Sequence, residues 1–244
     1  MLGPTVKGKP NIPTIVTSYS DYQSKFGYEF ISGSGATAES KTFLTSIAAQ
    51  NYFANGGETL AVTRIVSRSS DFTPASSSEI ASSQSGEAFV LETLSEGAIL
   101  NSTSTLGTGG ILPSGTADNF RWEIANSNTT NGTFTLTIRR GDDRTNNKSV
   151  LETFTNLSLD PRSPNYINRQ IGNQVQTLRG SGTDVYLQTT GSFRNASRYV
   201  RVKEVKLNTP DYLDNNGVAK DQFTGSIPIN QSGTFGSIVT GKHF

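Results

Sequence analysis

Side chains capable of covalent chemistry are scarce in this sequence. The single histidine, His243, lies second from the C-terminus, and there is no cysteine. An imidazole-activated nucleophile, a thiolate or a Cys/His zinc site therefore has almost nothing to start from. Four other groupings carry some chemical potential. Gly33-x-Gly35 has two glycines of a phosphate-cradling turn, but no third glycine, no Lys-Ser/Thr pair and no strand directly before it, so it reads as a flexible loop. Asp142 and Asp143 form a possible cation pair. Neighbours on an extended chain point to opposite faces, however, and the interleaved charges of Arg139-Arg140-Gly141-Asp142-Asp143-Arg144 read as a hairpin turn. Arg201 and Lys203 alternate with Val200 and Val202 and have only Tyr199 beside them, which fits a solvated strand face or a charged protein contact better than a nucleic-acid surface. Asn128, Asn131, Asn156 and Asn195 each head an Asn-x-Ser/Thr triplet, expected by chance in a chain rich in these residues. No catalytic residue, cofactor or metal ligand is expected.

Composition narrows the classes further. At 244 residues the chain can bury a sizeable core in one large domain or two ordinary ones. With 33% hydrophobic residues, 17% charged residues, 24 glycines and abundant Ser and Thr, it favours short strands and exposed turns over helical bundles. The 21 basic and 20 acidic side chains nearly cancel, which provides no general field for nucleic acid or an anionic membrane. No run of apolar residues is long enough for a spanning helix, and no apolar signal segment is expected in Met1 to Lys7.

The elements that position these residues fall into an α+β arrangement: a small βαβ-like α/β unit, then β-rich barrel or sandwich regions with one or two helices. Ile12 to Thr17 reads as a buried strand, Ser20 and Gln23 have capping-box spacing for a helix over Asp21 to Phe26, and Gly27 stands where that helix would end. A longer helix is expected from an N-cap at Thr37 to about Ala54, with Phe43, Ile47 and Asn51 along one row and Leu44, Ala48 and Tyr52 along the next. Asn55-Gly56-Gly57 stops it and Thr59 to Val66 follows as a strand, predicting a parallel pairing with the first. Residues 1–68 thus read as an α/β unit, 69–86 as a Ser-rich linker, 87–180 as a barrel-like β-rich domain with one helix, and 181–244 as a sandwich-like β-rich domain. Period-two patterns mark strands over Glu87 to Leu94, Asn119 to Asn126, Gly132 to Arg140, Val150 to Leu159 and Thr183 to Thr189, with a tight hairpin at Asn131-Gly132. Ser163 and Pro164 open a short helix ending near Gly172, and the phase slip after Val202 in Ser197 to Asn208 predicts a bulge.

In order along the chain, several segments resemble the contractile tail sheath proteins of myovirus-type bacteriophages. These are Gly3 to Pro13 with Val16 to Tyr22, and Tyr52-Phe53-Ala54-Asn55-Gly56-Gly57 leading into the strand that carries Arg64. Phe120 to Ile124, Arg139 to Asp143, and Asn156 to Pro161 with Ser163 to Tyr166 complete the set. The resemblance spans most of Gly3 to about Asn173 and marks Asn55, Gly56, Gly57 and Arg64 as structural motif residues. It implies a subunit that stacks in hexameric rings around a tail tube and contracts to drive the tube through the host envelope. Its partners would be other sheath subunits, the tube protein, and baseplate and tail terminator proteins. Its location would be the virion tail, after assembly in the host cytoplasm. Sheath chains normally carry an N-terminal arm and a C-terminal α/β portion, so a fragment of a longer subunit is expected. The alternative, suggested by Ser/Thr/Gly-rich strands with Trp122, Tyr166 and Tyr186, is a β-rich adhesin or carbohydrate-binding module.

Overall fold

A computed structural model describes residues 1–32, 39–66, 74–84, 86–102 and 106–236. The fold is mixed α+β and mostly β. Two compact units emerge: one from Met1–Pro74 and Leu94–Asn101, the other from Ala75–Thr93 and Ser102–Gly236. The cradle-like Gly33-x-Gly35, the expected cap Thr37 and His243 lie outside the described residues.

In the first unit, β1 (Leu2–Gly3), β2 (Thr14–Val16) and β5 (Leu60–Arg64) form a sheet of order β1-β5-β2. Helix α1 (Tyr19–Phe26) starts two residues earlier than the expected Asp21, with Ser18 as its cap in place of Ser20. Ser18 accepts from the Asp21 amide at 3.1 Å, and the Asp21 carboxylate accepts from the Thr17 amide at 3.3 Å, so Ser18 and Asp21 do the reciprocal capping that the spacing assigned to Ser20 and Gln23. Two further expectations are overturned. Residues 39–42 are not helical: β4 (Glu39–Thr42) pairs antiparallel with β3 (Glu29–Ser32), and α2 spans only Leu44–Ala54. Phe43 stacks on Phe30 with ring centroids 4.7 Å apart and stays extended, which keeps the helix from beginning earlier. Likewise, β2 and β5 are antiparallel, and the parallel neighbour of β5 is β1. The span from β2 to β5 holds two helices and a hairpin rather than the single return helix of a βαβ unit. Val16, Tyr22, Phe26, Ala49 and Val62 make the small core.

The second unit is built on a seven-stranded sheet. Its strands are β6 (Pro74–Ser77), β7 (Phe89–Glu96), β8 (Phe120–Asn128), β9 (Thr133–Arg140), β10 (Val150–Ser158), β13 (Val200–Val205) and β14 (Gln231–Gly236), in the order β10-β9-β8-β14-β6-β7-β13. They come from all three stretches that composition separates, 69–86, 87–180 and 181–244. The apolar face expected of β9 is buried, with Phe134, Leu136 and Ile138 all inaccessible, but Thr135 and Arg139 of the opposite face are buried as well, so both faces of this strand are covered. The β8–β9 hairpin turns at Thr129 to Gly132, where Gly132 takes φ +68°. The ladder slips between Val202 and Glu204, as the phase of that segment requires. It slips again at Asn126 and Asn156, which adopt φ +52° and +55°.

The sheet curls until one helix touches both of its ends. Helix α3 (Ile167–Ile171) packs against β10 and β13, the two outer strands. Glu152 on β10 accepts from Ser197 Oγ at 2.6 Å and the Arg198 amide at 2.9 Å, just ahead of β13, and the Val202 amide of β13 donates to Gly172 O at 2.8 Å. Helix α3 begins three residues later than expected, because Ser163 to Tyr166 close a turn instead of a first helical turn. Inside the curl Phe89 and Phe134 stack at 5.6 Å. A separate ribbon of β11 (Val175–Arg179) and β12 (Tyr186–Thr190) leaves nearly all its side chains in solvent, and α4 (Asp221–Thr224) is a single turn.

Candidate functional site: exposed apolar faces and a buried charge cluster

The motif residues Asn55, Gly56, Gly57 and Arg64 sit where α2 hands the chain to β5. Asn55 closes the helix with its backbone and side-chain amides both on Asn51 O, at 3.1 and 2.7 Å. The Gly57 amide then donates to Tyr52 O at 3.0 Å, and the Tyr52 hydroxyl donates to Thr59 O at 2.8 Å. A Cβ on Gly57 would lie 2.2–2.5 Å from the Tyr52 ring, so only glycine lets the chain turn this closely under the aromatic. Arg64, at the far end of β5, is 2% exposed and donates from Nη1 to Gly8 O at 2.9 Å and to Glu96 O at 2.7 Å. Burial lowers its pKa to about 10, against an opposing pull from the Glu96 carboxylate. It ties β5 to Gly8 and to Glu96 at the end of β7, the part of that strand (from Leu94) that belongs to the first unit.

Two apolar faces of this unit are left uncovered. Helix α2 buries Thr45, Ser46 and Ala49, while Leu44, Ile47 and Tyr52, from the rows expected to pack on a sheet, face solvent, Leu44 at 81% exposure. Small residues allow the close approach, and the Tyr22 hydroxyl is hydrogen-bonded to Ser46 Oγ at 3.0 Å. The sheet repeats the pattern. Val16 and Val62 face the helices, whereas register places Ile15 beside Ala61 and Leu2 beside Thr63 on the opposite side, where Leu2 and Ile15 are 73% and 53% exposed.

The other sequence candidates find internal partners. Arg201 and Lys203 both pair with Glu92 on the neighbouring β7. Asp142 pairs with Arg140 at the surface, whereas Asp143 is buried and bound by arginines, not poised for a cation. Among the described residues no three His, Cys, Asp or Glu side chains converge as a metal site would require. Of the sequon asparagines, Asn195 spans the backbone of Gln174, accepting from its amide at 2.9 Å and donating to its carbonyl at 2.8 Å. Asn128 caps its own turn by accepting from the amides of Thr130 and Asn131. Trp122 and Tyr166 are interior, and only Tyr186 of the three aromatics is exposed, at 58%.

Sequence reasoning missed the cluster around Asp143. Arg121 and Arg139 face each other in the β8–β9 register, both essentially inaccessible. Asp143 reaches back between them. Its Oδ2 and Oδ1 accept from Arg139 Nε at 2.7 Å and Nη2 at 2.9 Å, and Oδ1 also accepts from Arg121 Nη1 at 2.9 Å. Glu123 then links Arg139 at 2.8 Å to Lys148 at 2.5 Å. Burial, aggravated by Arg139, lowers the Arg121 pKa. The signal in the sequence was two arginines set at matching depth in strands joined by a tight hairpin, with a carboxylate four residues after the second.

No protein-family model matches the sequence, and a search of curated proteins returns no match.

Proposed function

We propose that the chain is a structural subunit of a phage contractile tail sheath, built to associate with copies of itself around a tail tube. One observation carries this reading: the unit holding Asn55, Gly56, Gly57 and Arg64 covers one side of its sheet with helices and leaves apolar side chains on the other side and on the outer face of α2. Bare apolar faces of this kind mark association surfaces. Rings stacked on the tube would store energy in subunit contacts, and contraction would be rigid-body movement of folded units. Other sheath subunits, the tube protein, and the baseplate and terminator proteins are the partners this role requires, and the virion tail is its location.

Electron microscopy of the chain in its full reading frame, alone and with a tube protein, tests the reading. Rings or tubes are expected, and Leu44→Lys with Ile47→Lys should abolish them while leaving the thermal melt of the monomer within about 0.5 kcal/mol, since both side chains are exposed. Absence of any ordered assembly under all these conditions would sink the proposal. The carbohydrate-binding alternative keeps one supporting feature, a polar groove of about 390 Å³ lined by Glu123, Asn126, Arg139, Lys148, Asn230 and Gln231. It has no aromatic wall on which a sugar ring could stack, so the assembly reading is preferred.

A further inference from the structure

The two bare apolar faces of the first unit are unlike each other and lie on opposite sides of it. On the inner side of the β1-β5-β2 sheet, Val16 and Val62 pack with Tyr22, Phe26 and Ala49 of the helices, and a Cβ on Gly3 would lie 2.3 Å from Thr45 Oγ1 of α2. Leu2, Ile15 and Ala61 alternate with these strand residues, so they point away from the helices, and all three are exposed. On α2, Thr45, Ser46 and Ala49 face inward, which puts Leu44, Ile47, Ala48 and Asn51 on the far side of the helix, also exposed. The unit is therefore layered, with a bare sheet face at one side and a bare helix face at the other.

Charge and dimensions match these two faces to each other. Helix α2 has one side in solvent and no charged residue anywhere, whereas α1 carries Asp21 and Lys25 as an ion pair at 2.9 Å. Of the three strands only β5 holds a charge, Arg64, and that residue is buried. Absence of charge is the mark of an interface centre. The 11 residues of α2 form a ridge about 16 Å long and the 5 of β5 run about 17 Å, so each face has a footprint on the order of 200 Å². A two-fold dimer through either face alone would fall far short of the roughly 800 Å² per partner of a stable complex and would leave the other face bare. A contact of sheet on helix repeats from copy to copy, so every copy buries both faces and a closed ring holds each contact through its neighbours. We propose that the bare face of the β1-β5-β2 sheet in one copy receives the outer face of α2 from a second copy, a head-to-tail contact with Leu2 and Ile15 against Leu44 and Ile47. This inference rests on the assembly reading and adds to it which surface meets which.

The chain has no cysteine, so introduced thiols report the contact alone. Chains in the full reading frame carrying Ile15→Cys are mixed with differently tagged chains carrying Ile47→Cys, treated with a short bis-maleimide and resolved on a gel, with electron microscopy of the same samples. The mixed pair should cross-link while neither variant does so with itself, and Ile15→Cys with Ile47→Cys in one chain should give a ladder beyond the dimer. Rings or tubes without the mixed cross-link, or like pairs joining as readily as the mixed one, would overturn this contact and leave the assembly reading standing. A mixed cross-link without rings or tubes would keep the contact and sink the sheath reading, and neither product would overturn both. Thiols of either variant that resist maleimide in the isolated monomer would show that a segment of the same chain covers the faces, which also overturns the contact.

Discussion

Replacing Asp143 by Asn separates the charge of this residue from its shape. The wild-type carboxylate accepts three hydrogen bonds from two guanidiniums at 2.7–2.9 Å, and a fourth from the Ser149 amide at 3.1 Å. Both arginine side chains are 1–2% exposed, and that of Asp143 is not exposed at all, so solvent cannot screen the loss. Arg121 and Arg139 are also cross-strand partners, so the amide leaves two like charges facing each other in the interior. Breaking a buried pair by neutralising one member typically costs about 3–5 kcal/mol. For a unit of this size each kcal/mol lowers Tm by about 2–4 °C, giving an expected drop of about 6–20 °C by differential scanning calorimetry. Asp142→Asn, at the exposed pair with Arg140, is the matched control and should change stability by no more than about 0.5 kcal/mol. If Asp143→Asn costs less than about 1 kcal/mol, the arginines are held by something other than this carboxylate and the reasoning fails.

At the helix-to-strand junction, Gly57→Ala should cost about 1–3 kcal/mol, because the new methyl collides with the Tyr52 ring rather than with a disfavoured backbone angle. In a denaturation cycle with Tyr52→Ala the two costs should therefore couple; strict additivity would show that the ring is not the obstacle. The Asp214 carboxylate is held below the ordinary aspartate range, first by the Val218 amide and then by that of Asn216, at 2.9 and 2.8 Å. A depressed folded-state pKa gives stability that is complete above the unfolded value of 3.8 and is lost as pH falls through the lower folded value. The Asn216 and Val218 amides should accordingly keep their NMR shifts down to that acidic window and change only within it. A change already near neutral pH would contradict the assignment.

Period-two alternation carried most of what was legible in the sequence, because a strand half buried in a curled sheet must alternate wherever it lies. Phe134, Leu136 and Ile138, the turn at Gly132 and the bulge after Val202 were all readable on that basis. Direction and pairing were not. The sense of β2 against β5 depends on how many elements the chain crosses between them, and the 39–42 hairpin depends on a contact between Phe30 and Phe43 that lies thirteen residues apart in sequence. The charge cluster was hidden for a related reason. In sequence Asp142 and Asp143 are mere neighbours, whereas the partners of Asp143 are set by the register between two strands.

Helix α2 shows why a periodic pattern locates a face without saying what covers it. Its rows of Phe43, Ile47 and Asn51 and of Leu44, Ala48 and Tyr52 carry bulk, and the adjoining Thr45, Ser46 and Ala49 carry almost none. A helix that must pack beside the rings of Tyr22 and Phe26 gains more from close approach than from its own large side chains, and the Tyr22–Ser46 hydrogen bond fixes that side inward. The large side chains are then left on the outside. Combined with the bare Leu2 and Ile15 side of the sheet, this leaves a small core beside an exposed apolar surface on two faces of the unit. A monomer built this way is expected to be only marginally stable, and association would add burial that the unit cannot supply internally. The Leu44→Lys and Ile47→Lys pair therefore discriminates sharply: if the outer face serves assembly, the substitutions remove rings without touching the melt, and if it serves nothing, they change neither.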